Sequence, residues 1–262
     1  MKHVLVIAAH PDDELLGEGG TIRRLVNEGV CARAVILAEG LTSRLHTRNE
    51  MDELELKNLQ DDARAAAKEI GYASIDFCGL PDNRMDGMEL LDIVKIVSGF
   101  VEKYDPDTIF THHHGDLNID HRITCEAVLT ACRPVENHGV RRIYAFETPS
   151  STEWNYTYEG PFTPNVFFDV SETLDAKIRG MSCYRTENTV YPHPRSAEAL
   201  EALGKYRGSN VGYRLAEGFM LLREIVPIEI RGGVLRQIIS HSDKIYKIIS
   251  FPYADKMKRS VA

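Results

Sequence analysis

Val4-Leu5-Val6-Ile7-Ala8-Ala9 runs straight into His10-Pro11-Asp12-Asp13-Glu14 and then Gly17-Glu18-Gly19-Gly20-Thr21, and this stretch decides the fold. The compact apolar run is what a strand covered on both faces requires, the pattern of a parallel sheet. Pro11 and the glycines make a turn. Thr21–Glu28 then places Ile22, Leu25 and Val26 at helical spacing, and Gly29 can end that helix.

Outward from this start the alternation repeats. Ala34–Leu37 reads as a second strand, Glu50–Ile70 as a charged, Ala-rich helix stopped by Gly71, and Ile75–Cys78 as a third strand. Glu89–Tyr104 is an amphipathic helix, Thr108–Thr111 a strand, His121–Cys132 a helix and Arg142–Phe146 another strand. Strand and helix in succession predict an α/β fold: a Rossmann-like, mainly parallel sheet flanked by helices, with right-handed crossovers. Ligands of such sheets bind beyond the carboxyl ends of the strands. Past residue 150 the pattern weakens to a strand over Asn165–Val170, a helix over Ser171–Cys183, and a strand or helix over Phe219–Ile225. No repeat, low-complexity tract or linker interrupts the chain. One domain over residues 1–262 is expected, its Rossmann-like part spanning 1–150 and the remainder completing a substrate cleft.

Composition narrows the function. Hydrophobic residues at 43% and charged residues at 27% are the balance of a soluble globular chain. Lys+Arg 31 against Asp+Glu 39 leaves a net charge of −8, which argues against a nucleic-acid partner held by a broad basic face. Five scattered cysteines with no C-x-x-C pair exclude a zinc ribbon and point to buried, reduced thiols in a cytoplasmic protein. The apolar run at residues 4–9 is too short for a signal peptide, and no stretch approaches a membrane span. A small-molecule substrate fits these limits, and a homo-oligomer is left open.

Two polar clusters fall at the carboxyl ends of predicted strands. In the first, His10 and Asp13 are three residues apart, so a turn can aim both at one centre. Asp12 and Asp13 are neighbours and diverge by about a quarter-turn in a helical segment. One carboxylate can then bind a metal while the other faces a water on it. Taken alone, Asp12–Glu14 are equally consistent with acids decorating a helix N-terminus. The second cluster, His112-His113-His114-Gly115-Asp116-Leu117-Asn118-Ile119-Asp120-His121-Arg122, shifts that balance. It gathers four histidines and two aspartates at the same sheet edge, and a His/Asp/His set with an open fourth position is a catalytic zinc arrangement.

Ala9-His10-Pro11-Asp12-Asp13-Glu14, Gly17-Glu18-Gly19-Gly20-Thr21 and Asp120-His121 resemble the signatures of the PIG-L/LmbE-type zinc-dependent de-N-acetylases. The likeness continues more loosely through Gly79-Leu80-Pro81-Asp82, Tyr206-Arg207-Gly208 and Ala216-Glu217-Gly218-Phe219. It implies a hydrolase that removes the acetyl group from an N-acetylglucosamine-type conjugate. It also implies His10, Asp13 and His121 as metal ligands and Asp12 as general base. The general chemistry agrees: zinc supplies Lewis acidity and acidifies a water, and a nearby carboxylate can shuttle the proton to the amine. Zn2+ is the expected ion, although two His and one carboxylate also suit Fe2+, Co2+ or Mn2+. Asn118 departs from the many relatives that carry His there to help stabilise the oxyanion. Either the Asn amide does a weaker job or another donor, His113 or His193, takes over.

Other residues carry weaker signals. Arg44 and Arg48 follow the second strand, as a solvated face or as contacts to sugar hydroxyls or an acidic substituent. Asp82 resembles a family position that holds sugar hydroxyls, and His193-Pro194-Arg195 suggests a loop delivering an imidazole. Trp154, Tyr156 and Tyr158 suit sugar stacking, but core or interface packing is the favoured reading. Asn155-Tyr156-Thr157 matches a glycosylation acceptor that has no use without secretion. Lys244, Lys247, Lys256, Lys258 and Arg259 make a basic tail read as a solvated face. Gly17–Thr21 is not G-x-G-x-x-G and lacks a P-loop Lys, which disfavours a nucleotide module. The remaining alternatives are the same hydrolase mechanism on a non-sugar amide or ester, and a non-catalytic module. The second has no use for a carboxylate beside a complete ligand set.

Overall fold

The apolar run becomes the centre of the sheet. In the computed structural model, which describes residues 1–226 apart from 136–138, 157–159 and 188, it forms β1 (His3–Ala8). β1 pairs in parallel with β2 (Cys31–Ala38) on one side and β4 (Thr108–His112) on the other, Val4 lying opposite both Ala32 and Thr108. β3 (Ser74–Leu80) extends the sheet beyond β2, and β5 (Arg142–Phe146) beyond β4, both in parallel. Among the described residues the sheet has seven strands in the order β3-β2-β1-β4-β5-β7-β6. The last two, β6 (Val166–Asp169) and β7 (Ala216–Glu224), are antiparallel, with Phe146 of β5 opposite Phe219 of β7. The Rossmann-like, mainly parallel α/β fold is therefore present, with an antiparallel edge that the strand–helix alternation did not announce.

Side chains of β1 alternate between two cores, as a period of two demands. Val4, Val6 and Ala8 pack with residues of α2 (Gly19–Asn27), α3 (Glu53–Ile70) and α6 (Leu174–Met181). Leu5 and Ile7 face the opposite layer, built from α4 (Leu90–Tyr104) and α5 (Ile119–Ala131). Each Val, Leu or Ile among them, fully buried, contributes roughly 1.5–3 kcal/mol. Because β1 is buried on both sides, the chain leaving it at Ala9 is held by the whole sheet.

Helix boundaries follow their caps. α3 starts at Glu53 because Asp52 accepts from the Leu54 N–H at 2.7 Å, three residues after the expected start. α5 starts at Ile119, earlier than expected, because Asn118 caps it by accepting from the Asp120 N–H at 2.8 Å. α7 (Ala197–Ser209), capped by Ser196, was not anticipated. Gly40 takes φ = 80°, and a Cβ there would meet Pro11 Cδ at 2.6 Å, so the loop after β2 can lie directly on the turn after β1.

Met1–Ile225 forms one compact unit. Tyr158, the basic tail and the rest of 227–262 lie outside the described residues, as do the side chains of Arg44 and Arg48. All five cysteines are free, but only Cys125 and Cys132 are fully buried. Burial pushes the thiols of Cys78, Cys125 and Cys132 up to about 12, which leaves them inert. Among the described residues no helix is long and apolar enough to cross a membrane.

Candidate active site

β1 and β4 leave the sheet side by side at the point where the strand order reverses, the position at which such sheets open a crevice. The Ala9 N–H donates to His112 Nε2 at 2.9 Å and ties the two strand ends together. After Pro11 the chain enters a single helical turn, α1 (Asp13–Leu16), with Asp12 at its N-cap in a left-handed conformation, φ = 99°. Such a non-Gly residue costs roughly 1–3 kcal/mol and persists only where its surroundings hold it. Glu14 does much of that holding. Its carboxylate accepts from the Asp12 N–H at 2.9 Å and from the Tyr184 hydroxyl, while the Tyr72 hydroxyl donates to its carbonyl at 2.8 Å. Burial pushes the Glu14 carboxyl up to about 8, against the Tyr184 hydrogen bond.

Three ligand-type atoms converge on one point. Asp13 Oδ2 lies 3.2 Å from His10 Nδ1 and 3.2 Å from His121 Nε2, and the two nitrogens are 3.3 Å apart. The far side of each ring faces an acid. His10 Nε2 is 3.2 Å from both Asp120 Oδ2 and Asp82 Oδ1, and His121 Nδ1 is 3.1 Å from Asp116 Oδ1. A His/Asp/His set of ligand-type atoms this close together fits a cation between them, as does Asp13 Oδ1, which is buried without a hydrogen-bond partner.

The acids are themselves anchored. Asp120 accepts from the Asn83 and Met85 N–H groups at 2.7 and 3.0 Å. Asp116 accepts from the hydroxyls of Ser151 and Thr152 and from the Asn118 N–H at 2.9 Å. Burial alone would push His10 down, but its hydrogen bonds to Asp120, Asp13 and Asp82 outweigh burial and hold it well above its ordinary value. Asp120 and Asp82 would also strengthen the ring as a metal ligand. His112 differs. Burial, then the neighbouring His121, push it well below the usual range. With Nε2 accepting from Ala9, its Nδ1–H is left for Thr148 Oγ1 at 3.2 Å. Its ring stacks on His121 at 3.9 Å between centroids and clamps that side chain.

A cavity of about 130 Å³ opens above this point, lined by His10, Asp12, Asp82, Asn118, His121 and Arg195 among others. Asp12 Oδ2 lies 2.5 Å from Arg195 Nη1. Burial pushes the Asp12 carboxyl up to about 7, with Arg195 pulling the other way.

The protein family described as GlcNAc-PI de-N-acetylase, PIG-L, matches residues 5–132, which carry both clusters. The first half of the chain is thus similar to the PIG-L family. It is 29% identical over 233 residues to the diacetylchitobiose deacetylase of Thermococcus kodakarensis, covering 83% of this chain and 82% of that protein. It is also 26% identical over 238 residues to a 4-oxalmesaconate hydratase of Pseudomonas putida, covering 83% and 88%. The structure of N,N'-diacetylchitobiose deacetylase from Pyrococcus horikoshii shares the fold, with a TM-score of 0.67, 20% identity and 87% of each chain covered.

The structure brings His10, Asp12, Asp13, Asp82, Asn118 and His121 to one place. Asp82 accepts from the Ser43 N–H at 3.0 Å while meeting His10. Asn118 lines the cavity, but its amide caps α5 and donates to Asn83 Oδ1 at 2.8 Å. Neither proposed substitute for the oxyanion donor reaches the cavity lining. His113 Nε2 meets the Gly160 carbonyl at 2.6 Å, and His193 Nδ1 accepts from the Arg195 N–H at 3.2 Å. The loop reaches the cavity with the guanidinium of Arg195, and His193 is not among the lining residues. Trp154 and Tyr156 are 40% and 85% exposed, which removes core packing from the favoured reading and leaves interface packing. Sequence reasoning gave no role to Asp116, Asp120 or His112, although all lie in the flagged tract. Ser150, Ser151 and Glu187 also line the cavity and carried no signal.

Proposed function

We propose that this chain is a metal-dependent hydrolase that removes the N-acetyl group from an N-acetylglucosamine-type substrate, releasing acetate and a free amine. The observation that carries the reading is the convergence of His10 Nδ1, Asp13 Oδ2 and His121 Nε2 beneath a cavity that Asp12 also lines. Those three residues would hold the ion, with Zn2+ the first choice and Fe2+, Co2+ or Mn2+ compatible with the donors. When bound, a divalent cation supplies Lewis acidity and lowers the pKa of a water towards ~7. Asp12 takes the proton from the attacking water as its oxygen adds to the acetyl carbon. It then delivers that proton to the nitrogen as the C–N bond breaks. Asp120, Asp82 and Asp116 fix the ring orientations that aim both imidazoles. Asp82 and Asn118 stand at the wall where sugar hydroxyls would bind, and Arg44 and Arg48 belong to the loop beside it.

The hydratase relative favours a second reading, addition of water to an unsaturated carboxylate by the same ion and base. Among the described side chains lining the cavity, Arg195 is the sole Lys or Arg, and it already meets Asp12 and Glu187. That lining suits a neutral sugar better than a polycarboxylate. Acetate release is measured with N-acetylglucosamine conjugates and a short aliphatic acetamide, and water addition with an unsaturated dicarboxylate, alongside metal analysis. The sugar conjugates are expected to give the highest kcat/KM, because remote contacts position the amide. Equal values for the aliphatic amide would favour a non-sugar hydrolase, and turnover of the dicarboxylate alone would favour the hydratase.

A further inference from the structure

Asp12 faces a difficulty created by its neighbour. It follows Pro11, precedes the ligand Asp13, is 2% exposed, and has a short side chain with two rotatable bonds. A carboxylate so close to a divalent cation tends to bind it, and one that did so would no longer offer a lone pair to a proton. Something must hold Asp12 beside the ion without letting it join the ligands.

We propose that Arg195 is the positioning residue that does this, fixing Asp12 Oδ2 so that Oδ1 is left to face the attacking water. The proposal rests on the hydrolase reading above. The guanidinium is suited to the task because it stays charged at every working pH and its planar fork sets a direction as well as a charge. It is anchored from several sides. Nη1 lies 2.5 Å from Asp12 Oδ2 and 3.3 Å from Glu187 Oε2, and Nε donates to Ser150 Oγ at 2.7 Å. The backbone N–H of the same residue donates to His193 Nδ1 at 3.2 Å. Ser150 belongs to the segment after β5, whereas Glu187 and His193 belong to the chain between α6 and α7, so two separate stretches converge on one guanidinium. At 21% side-chain exposure this pair is drier than a surface bridge, and charge-assisted contacts of that kind are among the stronger ones.

The test compares wild type, Asp12→Asn, Arg195→Ala, Arg195→Lys and the Asp12→Asn/Arg195→Ala pair for kcat, KM, metal content and rate of metal loss to a chelator. Arg195→Ala should lower kcat by about 10²-fold, the effect of misplacing a catalytic group by ~1 Å, with KM within about threefold. The variant should keep its metal and lose it to the chelator no faster than wild type, since a released Asp12 can only add a ligand. Added guanidinium ion should restore part of kcat. In the Asp12→Asn background the same change should cost no more than about twofold, the scatter expected of independent sites. Arg195→Lys keeps the charge without the fork and should fall between. Full additivity with Asp12→Asn, a kcat loss that merely tracks lost metal, or a rise in KM alone would each overturn the positioning role. Failure of the hydrolase reading shows separately, as a wild type that releases no acetate. In that event the pairing is judged on chelator kinetics and on Tm, where shifts of the two single variants that simply add would overturn it.

Discussion

The two walls of the cavity are built on different principles. One comes from the ends of β1 and β4, where His10 and Asp13 closely follow β1 and His121 stands in the first turn of α5 after β4; the three are 12%, 1% and 2% exposed. The other comes from long connections, Ser150–Ser151 after β5 and Glu187–Arg195 between α6 and α7. The first wall inherits its geometry from the sheet, so disturbing it should remove the ion. The second is held by ion pairs and hydrogen bonds, so disturbing it should leave the ion and spoil alignment. The contrast separates two kinds of loss that activity alone would confuse.

The largest effect belongs to the sheet-anchored wall. His121→Ala removes one of three converging ligand atoms and the ring that stacks on His112. Metal content should fall to a small fraction of an equivalent, and activity by about 10⁴-fold or more, at least the upper end for losing a single general base. A full equivalent of metal in the purified variant, held with unchanged affinity, would place the ion elsewhere.

Asp12 lies on the boundary between the walls, attached to β1 but gripped by Arg195. Asp12→Asn should keep the metal and the fold while kcat drops about 10²–10⁴-fold, the usual share of general acid–base catalysis. Asp13→Asn, one residue on, should instead weaken metal binding, and excess metal should return part of the activity. Metal content and kcat measured side by side decide the assignment; the opposite pattern exchanges the two roles.

Asp120→Asn reaches the first wall from behind. Asp120 receives two backbone N–H groups and faces His10 Nε2, so all three partners are donors. An amide nitrogen in place of either oxygen sets donor against donor and turns His10. Loss of such an outer partner typically costs about 10–100-fold in metal affinity, and competition against a chelator should show a drop of that order. An unchanged affinity would mean that Asp82 alone fixes the ring.

The same contrast explains what could be read in advance. The parallel core was legible because a doubly buried strand must be apolar throughout, and Val4–Ala9 is. The convergence of His10, Asp13 and His121 was legible because two strand ends carry their polar residues in short, dense clusters. Asp116 and Asp120 were visible as letters, but only the N-cap at Asn118 and the backbone donors at Asn83 and Met85 give them their roles. Arg195 was not legible as a site residue. Its meeting with Asp12 spans 183 positions and depends on the antiparallel β6–β7 edge and on α7, the least periodic part of the chain. Long-range ion pairs leave no periodicity, and in that loop His193 is the residue type that signals catalysis most directly.

The smallest effect tests that substitution of one loop residue for another. His193 lies outside the cavity lining, its ring edge-on to Trp154 at 6.4 Å and its Nδ1 accepting from the Arg195 N–H. If the imidazole acted on substrate, removing it should cost as much as removing a general acid or oxyanion donor, a factor of about 10² or more. If it only steadies the backbone of Arg195, the ceiling is one hydrogen bond, ~0.5–1.5 kcal/mol, or about tenfold when expressed wholly in kcat. His193→Ala should therefore stay below that tenfold limit with its metal intact. His193→Asn, whose carbonyl oxygen can still accept from the Arg195 N–H, should recover most of the loss. A drop of 10² or more in His193→Ala that the Asn variant fails to relieve would return the imidazole to the reaction and remove the distinction between the two walls at this loop.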